Sequence, residues 1–132
     1  MAATFHLSVV TPEREVLALE ARFVALPAYD GEMGFLPRRA PLLVQLGAGR
    51  LRIEAADGAK RSLFVAGGFA QMVEDKLTLL TEEAREPDSI TAQEAERILA
   101  QAATLAAPDE PAFAKKRRAL ERARALKRIA AG

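Results

Sequence analysis

The sequence predicts an N-terminal β-sandwich followed by a C-terminal antiparallel hairpin of two helices. Up to about residue 85, apolar and polar residues alternate, and turn residues recur about every ten positions, as in sandwiches and barrels. From residue 91 onward, apolar residues recur at helical spacing. The charge also changes sign: residues 1–89 hold 10 basic and 13 acidic side chains, whereas residues 90–132 hold 9 and 5. We therefore expect a sandwich domain over residues 1–86 and a helical domain over residues 87–132.

Composition excludes several classes of protein. The 132 residues suffice for one core or one core with an appendage, and 50% hydrophobic with 28% charged residues is typical of soluble globular chains. Cysteine is absent, so disulfides and thiolate metal sites are excluded. No apolar run approaches the roughly 20 residues that cross a bilayer, and the start does not resemble a secretory signal. We expect a protein that is cytosolic or bound to a structure facing the cytosol.

The strands follow from period-two alternation. Thr4 to Val10 places Phe5, Leu7 and Val9 on one face, and Glu13 to Leu19 and Ala21 to Leu26 are two further runs. These runs predict half-buried strands at the start of the chain.

Turn residues organise the middle of the chain. Residues 49–65 predict a hairpin because Asp57-Gly58 suits a turn with positive φ. Gly67-Gly68 suits a corner where the chain passes between sheets. Glu74 to Lys76 predicts another tight turn. Together these signals indicate an all-β region up to about residue 85.

Capping residues define two helices. Thr91 and Glu94 fit a capping box, and Ala106 to Pro108 should end the first helix. Asp109 to Pro111 suits a second N-terminus, and the short loop predicts an antiparallel hairpin. A stripe of apolar residues should lie along the second helix: Phe113, Leu120, Ala123, Leu126 and Ala130. Because the apolar positions are mostly alanine, each helix is stable by propensity but weakly held by packing, which suggests a mobile element.

No catalytic constellation stands out. There is no phosphate-binding loop motif, and His6, the one histidine, falls on the polar face of its strand. Acidic pairs such as Glu82-Glu83 fall at strand ends, where a solvated role is expected. The sequence therefore does not predict an enzyme.

The last 21 residues hold eight basic side chains and one acid, Glu121. A solvated helix face is one interpretation, with Arg117 and Glu121 paired one turn apart. The other interpretation is that these residues bind an acidic partner, either nucleic acid or a protein surface rich in Asp and Glu. The near absence of aromatic residues disfavours base stacking.

Several motifs resemble one family in the right order. GEMGFLPRRAPLL at residues 31–43 is similar to the GExGxLPxHAPLL signature of the ε subunit of F-type ATP synthases, called δ in mitochondria. FHLSVVTPEREV near the start, LRIEAADG in the middle and FVAGGFAQMVEDKLTLLTEEA at residues 64–84 also resemble that family. The likeness covers the whole sandwich region.

The resemblance implies a non-catalytic rotor subunit of the central stalk, with a flattened ten-stranded β-sandwich that contacts the γ subunit and the c-ring. It implies that these contacts are made by Glu32, Met33, Arg38 and Arg39. It further implies that the helices extend into the α/β catalytic head, meet acidic segments of the β subunits and inhibit ATP hydrolysis. The basic residues assigned to that contact are Lys115, Arg117, Arg118, Arg122, Arg124, Lys127 and Arg128. The expected place is the cytoplasmic face of the bacterial inner membrane, peripheral and attached through the complex.

Two departures from the family pattern limit the comparison. Arg39 stands where the signature most often has His, so a role for a titratable imidazole is not carried over. Thr91 and Glu94 replace the Asp and Arg of the motif by which some bacterial members bind ATP, so we expect no cofactor on the hairpin. A small β-domain with a basic helical arm that binds nucleic acid is the rival hypothesis, and no nucleic acid is expected under the leading one.

Overall fold

A computed structural model describes residues 3–132. The chain forms nine strands, one 3-10 turn and two helices. The strands are β1 Phe5–Val10, β2 Glu15–Ala28, β3 Gly31–Phe35, β4 Leu42–Gln45, β5 Ala48–Ala55, β6 Lys60–Ala66, β7 Phe69–Val73, β8 Lys76–Leu80 and β9 Glu83–Arg85. The 3-10 turn spans Pro87–Ser89, and the helices are α1 Ala92–Ala103 and α2 Glu110–Ala130. The predicted order of sandwich and helices is confirmed.

The strands form one sheet that folds over into two layers. Its order is β4-β7-β8-β1-β2-β5-β6-β9, and β3 pairs with the second half of β2. All neighbours are antiparallel except β1 and β8, which are parallel. The first half of β2 pairs with β1 and its second half with β3 and β5. Strand β2 therefore belongs to both layers and joins them.

Within residues 3–132 the sandwich has nine strands, whereas the resemblance implied ten. The two predicted runs Glu13 to Leu19 and Ala21 to Leu26 form the single 14-residue strand β2. No turn residue separates the two runs, so the strand continues and changes direction through a register shift between Ala21 and Phe23.

The sandwich core is built from large side chains of both layers. The predicted alternation in β1 is confirmed, because Phe5, Leu7 and Val9 are buried. One continuous cluster unites them with side chains from the other strands, among them Leu51, Ile53, Leu63, Val65, Met72, Leu77 and Leu79. A core of this kind is stabilised mainly by removing aliphatic and aromatic surface from water.

Three turns match their sequence signals. The hairpin β5–β6 closes at Asp57 and Gly58, whose φ is 89°. Glu74 and Asp75 both adopt positive φ between β7 and β8. Gly67 and Gly68 also have positive φ, and they connect β6 in one layer to β7 in the other. A Cβ on Gly68 would lie 1.9 Å from the Leu80 carbonyl oxygen, so this corner requires glycine.

The helix starts are as predicted, but α1 ends early. Thr91 Oγ1 accepts a hydrogen bond from the Glu94 N–H at 3.1 Å, and Asp109 Oδ1 accepts one from Ala112 at 2.9 Å. Helix α1 ends at Ala103 rather than at Ala106 to Pro108. Thr104 caps it, with its hydroxyl donating to the Gln101 carbonyl at 2.8 Å, which competes with a further helical turn. Leu105 consequently lies outside α1 and is 39% exposed.

The two helices pack as an antiparallel hairpin. Lys127 near the end of α2 lies 3.7 Å from Glu96 near the start of α1. Six helical residues are buried: Ala95, Ala102, Ala123, Ala125, Leu126 and Ile129. Phe113 was expected on the packed stripe but is 52% exposed, because the buried residues of α2 all fall in its second half.

The chain divides into two compact units, residues 1–85 and residues 86–132. The division falls one residue before the boundary expected from the sequence. Among the residues that the structure describes, neither helix is long and apolar enough to cross a bilayer.

Candidate functional site

The segment Gly31 to Leu43 contributes to three places in the sandwich. Glu32 and Met33 lie within β3, Arg38 and Arg39 lie in the loop that follows it, and Leu43 lies in β4. The four expected contact residues therefore lie in two types of structure. Glu32 and Met33 are positioned by strand pairing, and Arg38 and Arg39 are positioned by a loop.

Glu32 is held by an arginine from the neighbouring part of the sheet. The Arg52 guanidinium donates to its carboxylate at 2.8 and 3.4 Å. Arg52 is directly opposite Ala25 in β2, which in turn is opposite Gly34 in β3, so its side chain reaches over Ala25 toward β3. The pair is about half exposed, so we expect it to orient Glu32 more than to stabilise the fold. Sequence reasoning missed this partner, although alternation in β5 already placed Arg52 on the outer face.

Met33 is oriented differently from Glu32. It is half-buried and packs against the sandwich core, as expected for the opposite face of the same strand. It therefore offers less surface to a partner than its neighbour does.

The loop after β3 is held by backbone and ring contacts. Arg38 has a φ of 65°, and its N–H donates to Asp75 Oδ1 at 2.7 Å. The Arg39 guanidinium lies 5.0 Å from the centre of the Phe35 ring, a cation–π distance. Both arginine side chains remain exposed. The β7–β8 turn therefore fixes the backbone that presents these cations.

Leu36 is exposed, unlike the residue before it. Phe35 is buried at 1% exposure, whereas Leu36 is 60% exposed. Strand β3 ends at Phe35, and the loop that begins there turns the next side chain outward. Leu36 thus adds apolar surface beside the two arginines.

The second glycine of the segment has a packing role. A Cβ on Gly34 would lie 3.1 Å from the Phe23 ring, which crosses it from β2. Its backbone does not need positive φ. Gly34 therefore makes room for an aromatic side chain, whereas Gly31 supplies the turn with a φ of 139°.

An apolar row crosses the outer face of the layer formed by β4, β7, β8 and β1. We use "apolar row" for Leu43, Phe69, Leu80 and Val10. Phe69 is directly opposite Leu80, which is beside Val10 in β1. Leu43 is opposite Gln71, which lies two residues after Phe69 on the same face of β7. Phe69 is 51% exposed and Leu43 and Leu80 are more so. Adjacent large apolar side chains on an exposed sheet face are typical of a binding surface.

Sequence reasoning missed the apolar row. The sequence does show that Phe69 and Leu80 are large apolar residues at positions that alternation assigns to the polar face. It does not show that β7 pairs with β8 and β8 with β1, and this pairing brings the side chains together.

The basic side chains of α2 do not share one environment. Arg117, Arg124 and Arg128 are separated by seven and four residues, so they lie along one face of the helix. We call these three the arginine stripe. All three are exposed, and they make no ion pair within residues 3–132. Lys127 is instead paired with Glu96.

The other basic residues of α2 divide between exposed and partly buried positions. Lys115 and Arg118 are exposed in the first half of α2, where no residue is buried, and Arg122 is partly buried and interacts with another group. The arginine stripe is an aligned set of exposed cations and therefore suits an external acidic surface.

The other polar groups of residues 3–132 include a surface pair and a helix cap. His6 and Glu20 form a surface pair at 2.8 Å between β1 and β2. Within residues 3–132 there is no group of three or more His, Asp or Glu side chains that could hold a metal ion. Thr91, which replaces an acid of the nucleotide-binding motif, uses its hydroxyl to cap α1.

Comparison with known proteins decides the family. The model of the ATP synthase Delta/Epsilon chain β-sandwich domain matches residues 4–87. The chain belongs to this family. An ATP synthase epsilon chain of Delftia acidovorans is 40% identical over 94 residues, covering 71% of this chain and 68% of that protein. One of Rhodopirellula baltica is 48% identical over 94 residues, covering 71% and 73%.

Solved structures extend the family likeness to the helices. A chain in the cryo-EM structure of the Euglena gracilis mitochondrial ATP synthase superposes with a TM-score of 0.81 at 26% identity, covering 96% of this chain and 81% of that chain. A chain of the Tetrahymena thermophila mitochondrial ATP synthase has a TM-score of 0.70 at 13% identity and shows the same fold. As a family member, this chain is a rotor-stalk subunit of an F-type ATP synthase and is not an enzyme itself. It is thus part of a membrane-associated complex.

Proposed function

We propose that the sandwich anchors this subunit to γ and the c-ring while the hairpin acts as a movable brake on ATP hydrolysis. The observation that carries the brake is the arginine stripe, three exposed cations without ion pairs within residues 3–132, on a hairpin whose buried residues are mostly alanine.

The apolar row is the surface that we assign to γ. A subunit that turns with the rotor needs a lasting interface, and such interfaces are rich in aromatic and aliphatic side chains at their centre. Phe69 and Leu80, directly opposite each other, supply that centre. The loop arginines Arg38 and Arg39, together with Glu32, suit the polar loops of the c-ring.

The hairpin is suited to moving as a unit. Alanine favours helix formation without a partner, and burying it contributes little at about 25 cal/mol per Å². Each helix also has its own N-cap, from Thr91 and Asp109. Separating the hairpin from other surfaces would therefore leave its helices formed.

Charge determines where the extended hairpin would bind. The arginine stripe suits acidic segments of the catalytic β subunits in the α/β head, because an Arg guanidinium forms two parallel hydrogen bonds with a carboxylate. Attraction of this kind weakens with salt. Inhibition of hydrolysis should therefore decrease as ionic strength rises.

The same proposal places the protein at the cytoplasmic face of a bacterial inner membrane, held there only through the complex.

The proposal includes no nucleotide on the hairpin, since Thr91 and Glu94 replace the Asp and Arg that ATP would need. Isothermal titration of the isolated hairpin region with ATP tests this point, and micromolar affinity there would contradict it.

Truncation tests the brake. Removing residues 87–132 should leave assembly and proton-coupled synthesis intact and should raise ATP hydrolysis by the assembled enzyme. Unchanged hydrolysis in a complex that still retains the truncated subunit would exclude the brake. Loss of the subunit from the complex would instead show that the hairpin contributes to anchoring.

A charge variant tests the arginine stripe. Arg117→Gln with Arg124→Gln and Arg128→Gln should relieve inhibition and remove its salt dependence. The matched control removes three exposed cations elsewhere, Arg14→Gln, Lys76→Gln and Arg97→Gln, with the same change in net charge. Equal relief by both variants would show that net charge, not the stripe, matters.

A further inference from the structure

We propose that a cavity on the outer face of β5 and β6 binds a small soluble molecule that carries two or more phosphate groups. The cavity has a volume of about 350 Å³. It is lined mainly by Phe23, Arg50, Arg52, Lys60, Arg61 and Ser62. All of these belong to the sandwich, so the proposal does not depend on the role assigned to the hairpin.

Strand register brings the polar groups together. Arg50 and Arg52 alternate with the buried Leu51 and Ile53, so both point to the outer face. Ser62 is directly opposite Arg52, and the Arg50 guanidinium donates to the Ser62 hydroxyl at 3.3 Å. Lys60 lies two residues before Ser62, on the same face of β6. Arg61 is directly opposite Ile53, and both of these residues also line the cavity.

The cationic charge around the cavity is only partly balanced. Arg52 is paired with Glu32, and Glu54, the one acid in the lining, lies 3.5 Å from Arg22. Lys60 and Arg61 make no ion pair within residues 3–132, and the Arg50 guanidinium donates to a neutral hydroxyl. Lys60 is directly opposite Glu54 on β5, but no ion pair joins the two within residues 3–132. The cavity lining therefore keeps an excess of positive charge, which a bound anion would balance.

Phosphate fits these groups better than a carboxylate does. Arginine and lysine donors form short, charge-assisted bonds to phosphate oxygens, and the Ser62 hydroxyl supplies a further donor. Three cations that make no ion pair within residues 3–132, Arg50, Lys60 and Arg61, suit an anion with more than one negative charge. The volume is within the range of small-molecule sites, about 300–1,000 Å³. The Phe23 ring adds an apolar wall, so a nucleotide could place its base there.

The arrangement also argues against a macromolecule as the ligand. These cations line one cavity on a sheet, whereas the arginine stripe on α2 extends along a helix. A concave cluster recognises a compact polyanion, and a linear stripe suits an extended surface.

Titration of the full-length chain with pyrophosphate, tripolyphosphate and ATP at low salt tests the proposal. We expect saturable binding that Lys60→Gln with Arg61→Gln weakens at least about tenfold, since two charge-assisted contacts are lost. Both side chains are exposed, so the fold should tolerate the change. Arg14→Gln with Lys76→Gln is the control of equal charge and should bind like the unsubstituted chain. Tighter binding of ATP than of tripolyphosphate would support the proposal and assign the base to the Phe23 wall.

Four results would overturn the proposal. The first is that the unsubstituted chain binds none of the three anions. The second is that the control loses as much affinity as the cavity variant. The third is that Arg117→Gln with Arg118→Gln abolishes binding, which would place the anion on α2. The fourth is that the chain binds vesicles of anionic lipid through Lys60 and Arg61 but does not bind soluble pyrophosphate.

Discussion

The sandwich and the hairpin differ most in the size of the side chains they bury. Phenylalanine and leucine dominate the fully buried positions of the sandwich, among them Phe5, Phe35, Leu77 and Leu79. In the helices, four of the six buried residues are alanine. Burying a large aliphatic side chain contributes about 1.5–3 kcal/mol, and burying an alanine far less. The same chain therefore encodes a firmly packed unit and a weakly packed one.

The two regions are also stabilised in different ways, the sandwich by long-range contacts and the hairpin by local ones. The sandwich depends on long-range pairing across nine strands, so its parts stabilise one another. The hairpin depends on helix propensity and caps, which act within a few residues of each other. Local opening of the hairpin should need much less free energy than unfolding the sandwich, as expected for an element that moves in regulation.

The largest effect is expected at the corner between the two layers. Gly68→Ala would place a Cβ 1.9 Å from the Leu80 carbonyl oxygen at a φ of 90°. Backbone strain and overlap together should lower the free energy of unfolding by about 3 kcal/mol or more. Urea unfolding monitored by circular dichroism measures this loss.

Gly31→Ala is the matched control for the corner. Gly31 also has positive φ, at 139°, but nothing lies within 4 Å of the added Cβ. Gly31→Ala should cost only the backbone strain, about 1–3 kcal/mol, and less than Gly68→Ala. Equal costs at the two glycines would mean that the Leu80 carbonyl moves aside easily and that the corner is not rigid.

A matched pair of core truncations compares the two regions directly. Leu79→Ala should lower the stability of the sandwich by about 2–5 kcal/mol, since the cavity forms in a packed core. Leu126→Ala removes a side chain that is equally buried in α2, but it should melt part of the hairpin without shifting sandwich unfolding. Hydrogen exchange resolves the two regions. If Leu126→Ala lowered protection throughout the sandwich, the two units would unfold together and the comparison would fail.

Local signals made most of the fold predictable. Alternation located the strands, Asp57-Gly58 located a hairpin, and Thr91 and Asp109 located the helix starts. These signals act between residues close in sequence. The end of α1 was missed because the Thr104 hydroxyl closes the helix before the proline does.

The candidate surfaces were less predictable because they depend on register. The apolar row requires Phe69 to be opposite Leu80, and the orientation of Glu32 requires Arg52 from a strand 20 residues away. Periodicity assigns a face to each residue but not its neighbour on the next strand. The arginine stripe depends on tertiary contacts for a related reason, because the sequence of α2 does not reveal that Lys127 pairs with Glu96 of α1.

The smallest effect is expected from removing one side-chain hydrogen bond in each region. Asp109 Oδ1 accepts from the Ala112 N–H at 2.9 Å, and Asp57 Oδ1 accepts from Ala59 at the same distance. Asp109→Ala should cost about 1 kcal/mol of helix stability. Because the first half of α2 buries no residue, this loss should increase hydrogen exchange through the segment that carries Lys115 and Arg118. Asp109→Asn, which keeps an acceptor oxygen, should restore protection.

Asp57→Ala removes the equivalent bond from the β5–β6 turn, where the flanking strands remain paired along their length. Its effect on exchange should stay within the turn. A loss of protection that spread equally far in both variants would mean that the hairpin is held by packing as firmly as the sheet is by pairing. The low energy of hairpin opening, on which the proposed brake depends, would then have to come from something other than its alanine-rich interior.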